Sequence, residues 1–261
     1  MLSTYSLSSF AINGGLPTTE GVSPSVVNVV FAKSPCAGVV VAPNVVATAA
    51  HCIDQNGEPL MVAYIQPDIN TAECNIQNVL NYKFEPSSTI TKFGRHAPDI
   101  ALIKIEAPLC DAKPALLSAK SITAGDKVFM AGHMGNDYPY GVSSAILVEI
   151  IDFSNVYDHI YAKKESYVEK QIKNFLDEGP MNYVFAIPTQ LGETICAGDS
   201  GGPVYTEGEK GEMLLHGLNG LTLVNEKLGS MQECGNAYVQ AFTPIAPYLD
   251  WIESTITEWK N

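Results

Sequence analysis

The 261-residue chain is short of positive charge: 15 Lys and Arg stand against 28 Asp and Glu, a formal net charge of -13 with a sequence pI near 4.7. Such a charge balance repels phosphate backbones and anionic headgroups, so neither a nucleic acid nor a membrane surface is an expected partner. Long apolar runs are missing too. The best of them, Val39 to Ala50, is interrupted by Pro43 and Asn44, falls well short of the ~20 residues of a membrane-spanning helix, and reads instead as a buried strand. The amino end, Met1 to Ala11, has neither a basic start nor a continuous apolar core, so it does not read as a signal peptide. A propeptide and the remnant of a removed signal both stay open for residues 1–11. No Cys-x-x-Cys pair occurs among the six cysteines. That absence disfavours a metal site and leaves an even set suited to disulfides in an oxidising compartment. His96, His133, His159 and His216 lack metal-ligand spacing and read as surface or packing residues. Asp68 and Glu73 share one loop, but two carboxylates fall short of the about 6 to 8 oxygens that calcium takes. No metal and no cofactor are expected, and the chain contains no internal repeat or low-complexity tract.

What the sequence does contain is a series of short apolar stretches, often β-branched, cut by Gly, Pro and Asn: Val26 to Phe31, Gly38 to Val46, Met61 to Ile65, Asn75 to Phe84 and Ile100 to Ile105. This spacing predicts an all-β barrel or sandwich. The less patterned segment Ala112 to Asp126, ending in Thr123-Ala124-Gly125-Asp126, is expected to cross between two β units of roughly 110 to 130 residues, each a normal size for one core. Two segments break the β pattern. Val156, Ile160, Val168, Ile172, Phe175 and Leu176 recur at helical spacing between lysines and glutamates, with Ser154 or Asn155 as cap and Asp177-Glu178-Gly179-Pro180 as stop; they predict an amphipathic helix over about 155–178. Pro247 to Trp259 places Leu249, Ile252, Ile256 and Trp259 on one face of a second helix.

The chemistry concentrates in three motifs: Thr48-Ala49-Ala50-His51-Cys52, Asp99-Ile100-Ala101-Leu102 and Gly198-Asp199-Ser200-Gly201-Gly202-Pro203. A serine hydroxyl is a poor nucleophile at neutral pH and needs a base within reach and a carboxylate that fixes the base's tautomer. Ser200, His51 and Asp99 supply those three types, in an order (His, Asp, Ser) that excludes the chain orders of subtilisins and α/β-hydrolases. On these residues the sequence resembles the trypsin/chymotrypsin family of serine endopeptidases. The resemblance implies two six-stranded antiparallel β-barrels, 12–118 and 119–246, followed by a carboxy-terminal helix, 247–261. It implies His51 as general base, Asp99 as holder of the imidazole, and the backbone N–H groups of Gly198 and Ser200 as an oxyanion hole. It further implies a secreted monomer, extracellular or periplasmic, that takes peptide or protein substrates without a cofactor.

The resemblance also pairs Cys36 with Cys52, Cys196 with Cys234 across the specificity pocket, and Cys74 with Cys110, whose segments are neighbouring strands in the family fold. Ile12-Asn13-Gly14-Gly15 resembles the family's mature amino terminus. A cut between Ala11 and Ile12 would then free an ammonium group to bury against Asp199, which implies an activating protease. Residues 1–11 contain no Lys or Arg, so a trypsin-like activator is not expected at that bond. Read without the family, Asn13-Gly14-Gly15 is simply a turn, which stays open as the lesser alternative. Three departures bear on specificity. Thr194 falls at the base of the primary pocket, where trypsins carry an aspartate. Gln240 falls where a glycine usually leaves that pocket open. Gly217 to Thr222 replaces the family's Ser-Trp-Gly wall, removing a serine that supports the catalytic aspartate. Thr194, Gln240 and Thr222 are therefore the expected substrate-binding residues, with poor cleavage after Lys or Arg. The alternative is a catalytically silent binding protein on the same scaffold, its pocket occluded.

Overall fold

A computed structural model describes residues 12–20, 22–64, 73–91, 96–133, 143–156, 182–224 and 237–260. The strands to the middle of the chain are β1 (Leu16–Pro17), β2 (Val26–Val30), β3 (Cys36–Ala42), β4 (Val45–Thr48), β5 (Met61–Ala63), β6 (Ile76–Phe84), β7 (Thr89–Ile90), β8 (His96–Ala97), β9 (Ala101–Ile105) and β10 (Leu116–Leu117). The remainder are β11 (Lys127–His133), β12 (Ser143–Ile151), β13 (Val184–Pro188), β14 (Pro203–Glu207), β15 (Met213–Val224) and β16 (Ala237–Pro244). Two α-helices, α1 (Ala50–Asn56) and α2 (Leu249–Lys260), a helical turn over 153–156 and short 3-10 turns complete the described elements.

Six strands close the first barrel in the order β2-β3-β4-β9-β6-β5. The second is closed by β12-β11-β14-β15-β16-β13, with β13 returning to β12. Strand alternation explains why the Val39 to Ala50 run is apolar throughout rather than at every second position. Val40, Val46, Ala101 and Ile103 fill the first barrel. Their neighbours Val39, Val41, Val45, Ala47, Ile100 and Leu102 point to the other face, into a core shared with Leu215 and Leu218 of the second barrel and Ile252, Ile256 and Trp259 of α2. Strands buried on both faces lose the polar half of the alternating pattern. Helix α2 thus packs with the stripe expected of it, preceded by a 3-10 turn over Ala246–Tyr248.

The partition of the chain differs from the expected 12–118 and 119–246. Strand β1 pairs with β12, Leu16 opposite Ala145, and Ile12 packs in the second barrel's core, so residues 12–17 belong to the second barrel. The crossing segment contains β10, which runs parallel to β15 of the second barrel. The inserted helix is described only from Phe153 to Val156, where a helical turn begins; the rest of its expected span lies outside the described residues. Among the described residues no helix is long and apolar enough to cross a membrane.

Candidate active site

His51 is the second residue of α1, a two-turn helix that starts where β4 ends. Ala49 is extended, with φ -73° and ψ 138°, and the chain coils immediately after it. Cys52 ties this helix to the start of β3 through a disulfide with Cys36. His51 and Asp99 are both buried. The His51 Nδ1–H donates to Asp99 Oδ2 at 2.7 Å, and the His51 backbone N–H donates to Asp99 Oδ1 at 2.8 Å. One carboxylate therefore holds both the ring and the backbone of the histidine, with Nδ1 as the ring nitrogen that donates to it. Burial pushes the Asp99 carboxyl up, but the His51 charge and the hydrogen bonds from His51 and from the Tyr183 hydroxyl outweigh it and hold the group below the ordinary carboxylate value.

Ser200 is partly exposed, on the loop between Cys196 and β14. Gly198 and Gly201 on this loop have φ of 99° and 79°. At Gly201 no side chain fits: a Cβ would fall on the Thr48 hydroxyl and lie 2.6 Å from Ala37 O and 2.7 Å from Ala49 N. The Ser200 loop is thus pressed against the β4–α1 junction that carries His51. Ala37 N–H donates to Ser200 O at 2.9 Å, and Cys52 Sγ lies 3.7 Å from the same oxygen. The amides of Asp199, Gly201 and Gly202 donate to Cys196 O, Asn219 O and Asp199 O. No acceptor for the Gly198 and Ser200 amides is found among the described residues. A hydrogen bond from Ser200 Oγ to His51 is likewise not found among them; such bonds often tighten only once substrate is bound.

Asp199 is fully buried. Its Oδ2 accepts the Cys196 N–H at 2.8 Å. A Cβ at Gly132 of β11 would overlap its carboxylate, so glycine there is a requirement of close approach. Asn219 Nδ2 donates to Ala131 O at 2.8 Å and to Asp199 O at 3.1 Å, tying the loop to β11. Ile12 is buried among Ile195, Val204 and Phe242. Beside it Asn13 and Thr194 exchange backbone hydrogen bonds of 2.9 and 3.1 Å, and Asn13 Nδ2 donates to Gly192 O at 2.7 Å. The chain around Ile12 therefore lies against the segment leading to Ser200.

Thr194 is buried, its hydroxyl bonded to Ile195 O at 2.9 Å. Gln240 is opposite Thr222 on β15 and Ala186 on β13. By alternation it shares the face of Phe242, which lies in the interior cluster with Ile12, Ala186 and Ile195. Its relative exposure is 0%, yet neither Oε1 nor Nε2 has a hydrogen-bond partner among the described residues. Glu193 next to Thr194 is buried as well, and burial pushes its carboxyl above the ordinary value against an opposing backbone hydrogen bond with Gln190. Cys74 and Cys110 form the second disulfide. Cys196 is also disulfide-bonded, and its expected partner Cys234 lies outside the described residues. Among the described residues no group of three or more His, Cys, Asp or Glu is placed to hold a metal ion; Asp68 and His159 lie outside them.

Sequence reasoning missed Gly132, Asn219, Glu193 and Tyr183. Only Asn219 lay inside a segment already singled out. Gly132 and Tyr183 had no local signal, since each meets its partner through the fold, and Glu193 stands out only by its burial.

The sequence comparisons agree with this geometry. The family model described as Trypsin matches residues 12–252. Coagulation factor XII of Bos taurus is 27% identical over 260 residues, covering 92% of this chain but 39% of that protein, so the chain spans about two fifths of its length. Chymotrypsin-2 of Vespa crabro is 25% identical over 248 residues, 93% of this chain and 98% of its own. Trypsin II-P29 of Gallus gallus is 24% identical over 254 residues, 95% of this chain and 90% of its own.

Proposed function

Because the chain belongs to the trypsin family on a match spanning residues 12–252, we propose that it is a serine endopeptidase acting through His51, Asp99 and Ser200. The observation that carries this reading is the buried His51–Asp99 pair, bonded at 2.7 and 2.8 Å, with the Ser200 loop packed on the strand end that leads into His51. In the reaction, Ser200 Oγ attacks the scissile carbonyl carbon while His51 Nε2 takes its proton, and the imidazolium so formed is stabilised by Asp99. The Gly198 and Ser200 amides donate to the oxyanion. Collapse of the tetrahedral species expels the amine, which receives the proton from His51 and leaves an acyl group on Ser200. Water then repeats the sequence with His51 as base, releasing the carboxylic acid and restoring the serine.

The pocket reading follows from Thr194, Gln240 and Thr222. None carries a charge, so a buried Lys or Arg side chain would find no counter-ion from them; an unpaired buried charge is strongly disfavoured. The Gln240 amide, without a partner among the described residues, favours a small or uncharged polar side chain before the scissile bond, and in second place one able to hydrogen-bond an amide. Activation is the cut between Ala11 and Ile12, made by a protease that does not require Lys or Arg, and the freed ammonium pairs with Asp199. The docking of residues 12–17 on the second barrel supports this: the segment already runs beside Thr194. The disulfides suit an oxidising compartment, and the protein acts there as a secreted monomer without a cofactor. A peptide library offered to protein cut before Ile12, with Ser200→Ala as control, tests the reading. Cleavage after uncharged polar residues that vanishes in the control is expected. Equal cleavage by the control removes Ser200 from the reaction.

A further inference from the structure

We propose that Tyr183 is a positioning residue for the His51–Asp99 pair, delivering a hydroxyl to the carboxylate from the start of β13 through a space that Gly220 keeps open. This rests on the hydrolytic reading above and names a residue beyond its three reacting groups.

Tyr183 is buried, immediately ahead of β13 and after Asn182, whose φ of 62° turns the chain. Its hydroxyl donates to Asp99 Oδ2 at 3.1 Å and also lies 3.2 Å from His96 O. A phenol has one proton to give, and a carboxylate is the stronger of these two acceptors. The oxygen it reaches, Oδ2, is the one that accepts His51 Nδ1–H. Tyr183 and His51 therefore hold a single carboxylate oxygen between them, while the His51 backbone holds the other. Asp99 has its rotation fixed by three donors and no added charge. Loss of the phenol donor would leave the Oδ2 side of the carboxylate held by the imidazole alone.

Gly220 makes the arrangement sterically specific. A Cβ there would stand 2.6 Å from Tyr183 Cε1, inside contact distance of the ring, so a side chain at 220 and the tyrosine at 183 exclude one another. The ring itself is seated among Phe185, Leu221, Val239 and Ala241. Hence the segment Gly217 to Thr222, which lacks a hydroxyl at 220, leaves room for one that comes from 37 positions earlier in the chain. The hydroxyl is the separable part, because Tyr183→Phe keeps the ring in that cluster.

The test uses protein cut before Ile12, comparing parent, Tyr183→Phe and Ser200→Ala on one peptide substrate. A hydrogen bond that fixes the orientation of Asp99, and through it that of the imidazole, acts on the reacting groups and not on the substrate, so its loss falls on kcat and not on binding. Tyr183→Phe should therefore lower kcat about tenfold, equivalent to about 1.4 kcal/mol, with KM and melting temperature near the parent's. Parent-like kcat in Tyr183→Phe beside an inactive Ser200→Ala overturns the positioning role and leaves the hydrolytic reading standing. Parent-like turnover in Ser200→Ala overturns the hydrolytic reading itself. A second measurement does not depend on turnover. The downfield proton resonance of His51 Nδ1–H, identified by its loss in His51→Ala, should move further downfield in Tyr183→Phe, because Asp99 Oδ2 then serves the imidazole without a competing donor. An unmoved resonance overturns the proposal.

Discussion

Replacing Gln240 by Met removes two buried polar atoms that have no partner among the described residues, and it does so at nearly constant volume. Gln240 sits on β16 between Ala186 and Thr222, at 0% exposure, with Oε1 and Nε2 both unbonded among the described residues. A buried donor or acceptor left unsatisfied costs about 1–3 kcal/mol, so the pair represents roughly 2–6 kcal/mol. Water admitted to the pocket recovers part of that, and the lower bound of about 2 kcal/mol is the fair expectation for Gln240→Met. With about 2–4 °C per kcal/mol in a chain of this size, the melting midpoint should rise by about 4–8 °C. The same change should lower the preference for glutamine over methionine before the scissile bond by about 10²-fold, since it removes the group that would meet the substrate amide; sites that hydrogen-bond a substrate group discriminate strongly against partners lacking it. Calorimetry gives the first quantity, and matched peptides differing at that one position give the second. A variant that melts lower than the parent would show that the amide is satisfied. An unchanged peptide ratio would show that residue 240 does not face the substrate pocket.

His51→Ala should lower kcat by about 10⁶-fold with the fold intact, because the base and the nucleophile act as one unit; turnover within a few-fold of the parent would remove His51 from the reaction. Asp99 and Glu193 should leave opposite marks on stability against pH. The lowered Asp99 carboxyl stabilises the fold above its ordinary value of 3.8 and loses that contribution as pH falls through its lower folded value, so Asp99→Asn should narrow its melting-point deficit below pH 3.8. The raised Glu193 carboxyl destabilises as pH climbs from 4.5 through its higher folded value, so Glu193→Gln should melt higher than the parent at pH 7 and show no gain at pH 4. Replacing Cys74 and Cys110 together opens a bridge between residues 36 apart, and denaturant unfolding should report a loss of about 4 kcal/mol on the chain-entropy account; an unchanged midpoint would contradict that account.

The parts of this molecule that could be read from sequence are those whose signal is local. The Ser200 loop carries its glycines because backbone at Gly201 approaches Thr48 and Ala49 too closely for a side chain, and α2 shows its buried stripe at helical spacing. The β stretches of the first barrel were visible as β-branched runs. Strands β1 and β10 were not, because each is two residues long and gains its identity only by pairing with β12 or β15. For that reason the pairing of Leu16 and Pro17 with β12 is not legible in the chain itself. Tyr183 escaped for a related reason: its partner Asp99 is 84 positions away, and neither residue's neighbours encode the meeting. Gly132 and Asp199 are brought together by the second barrel in the same way. The departures at Thr194 and Gln240 stood out in the sequence, but the buried state of the Gln240 amide follows only from the pairing of β16 with β13 and β15.

The central claim is that Ser200 becomes a nucleophile when His51 can take its proton. A fluorophosphonate probe reports this directly, because it phosphonylates an activated serine and leaves ordinary serines untouched. Protein cut between Ala11 and Ile12 should gain one adduct per chain, mapped by peptide mass spectrometry to Ser200, and His51→Ala should gain none. Failure of the cut, correctly folded protein to label at Ser200 would contradict the account.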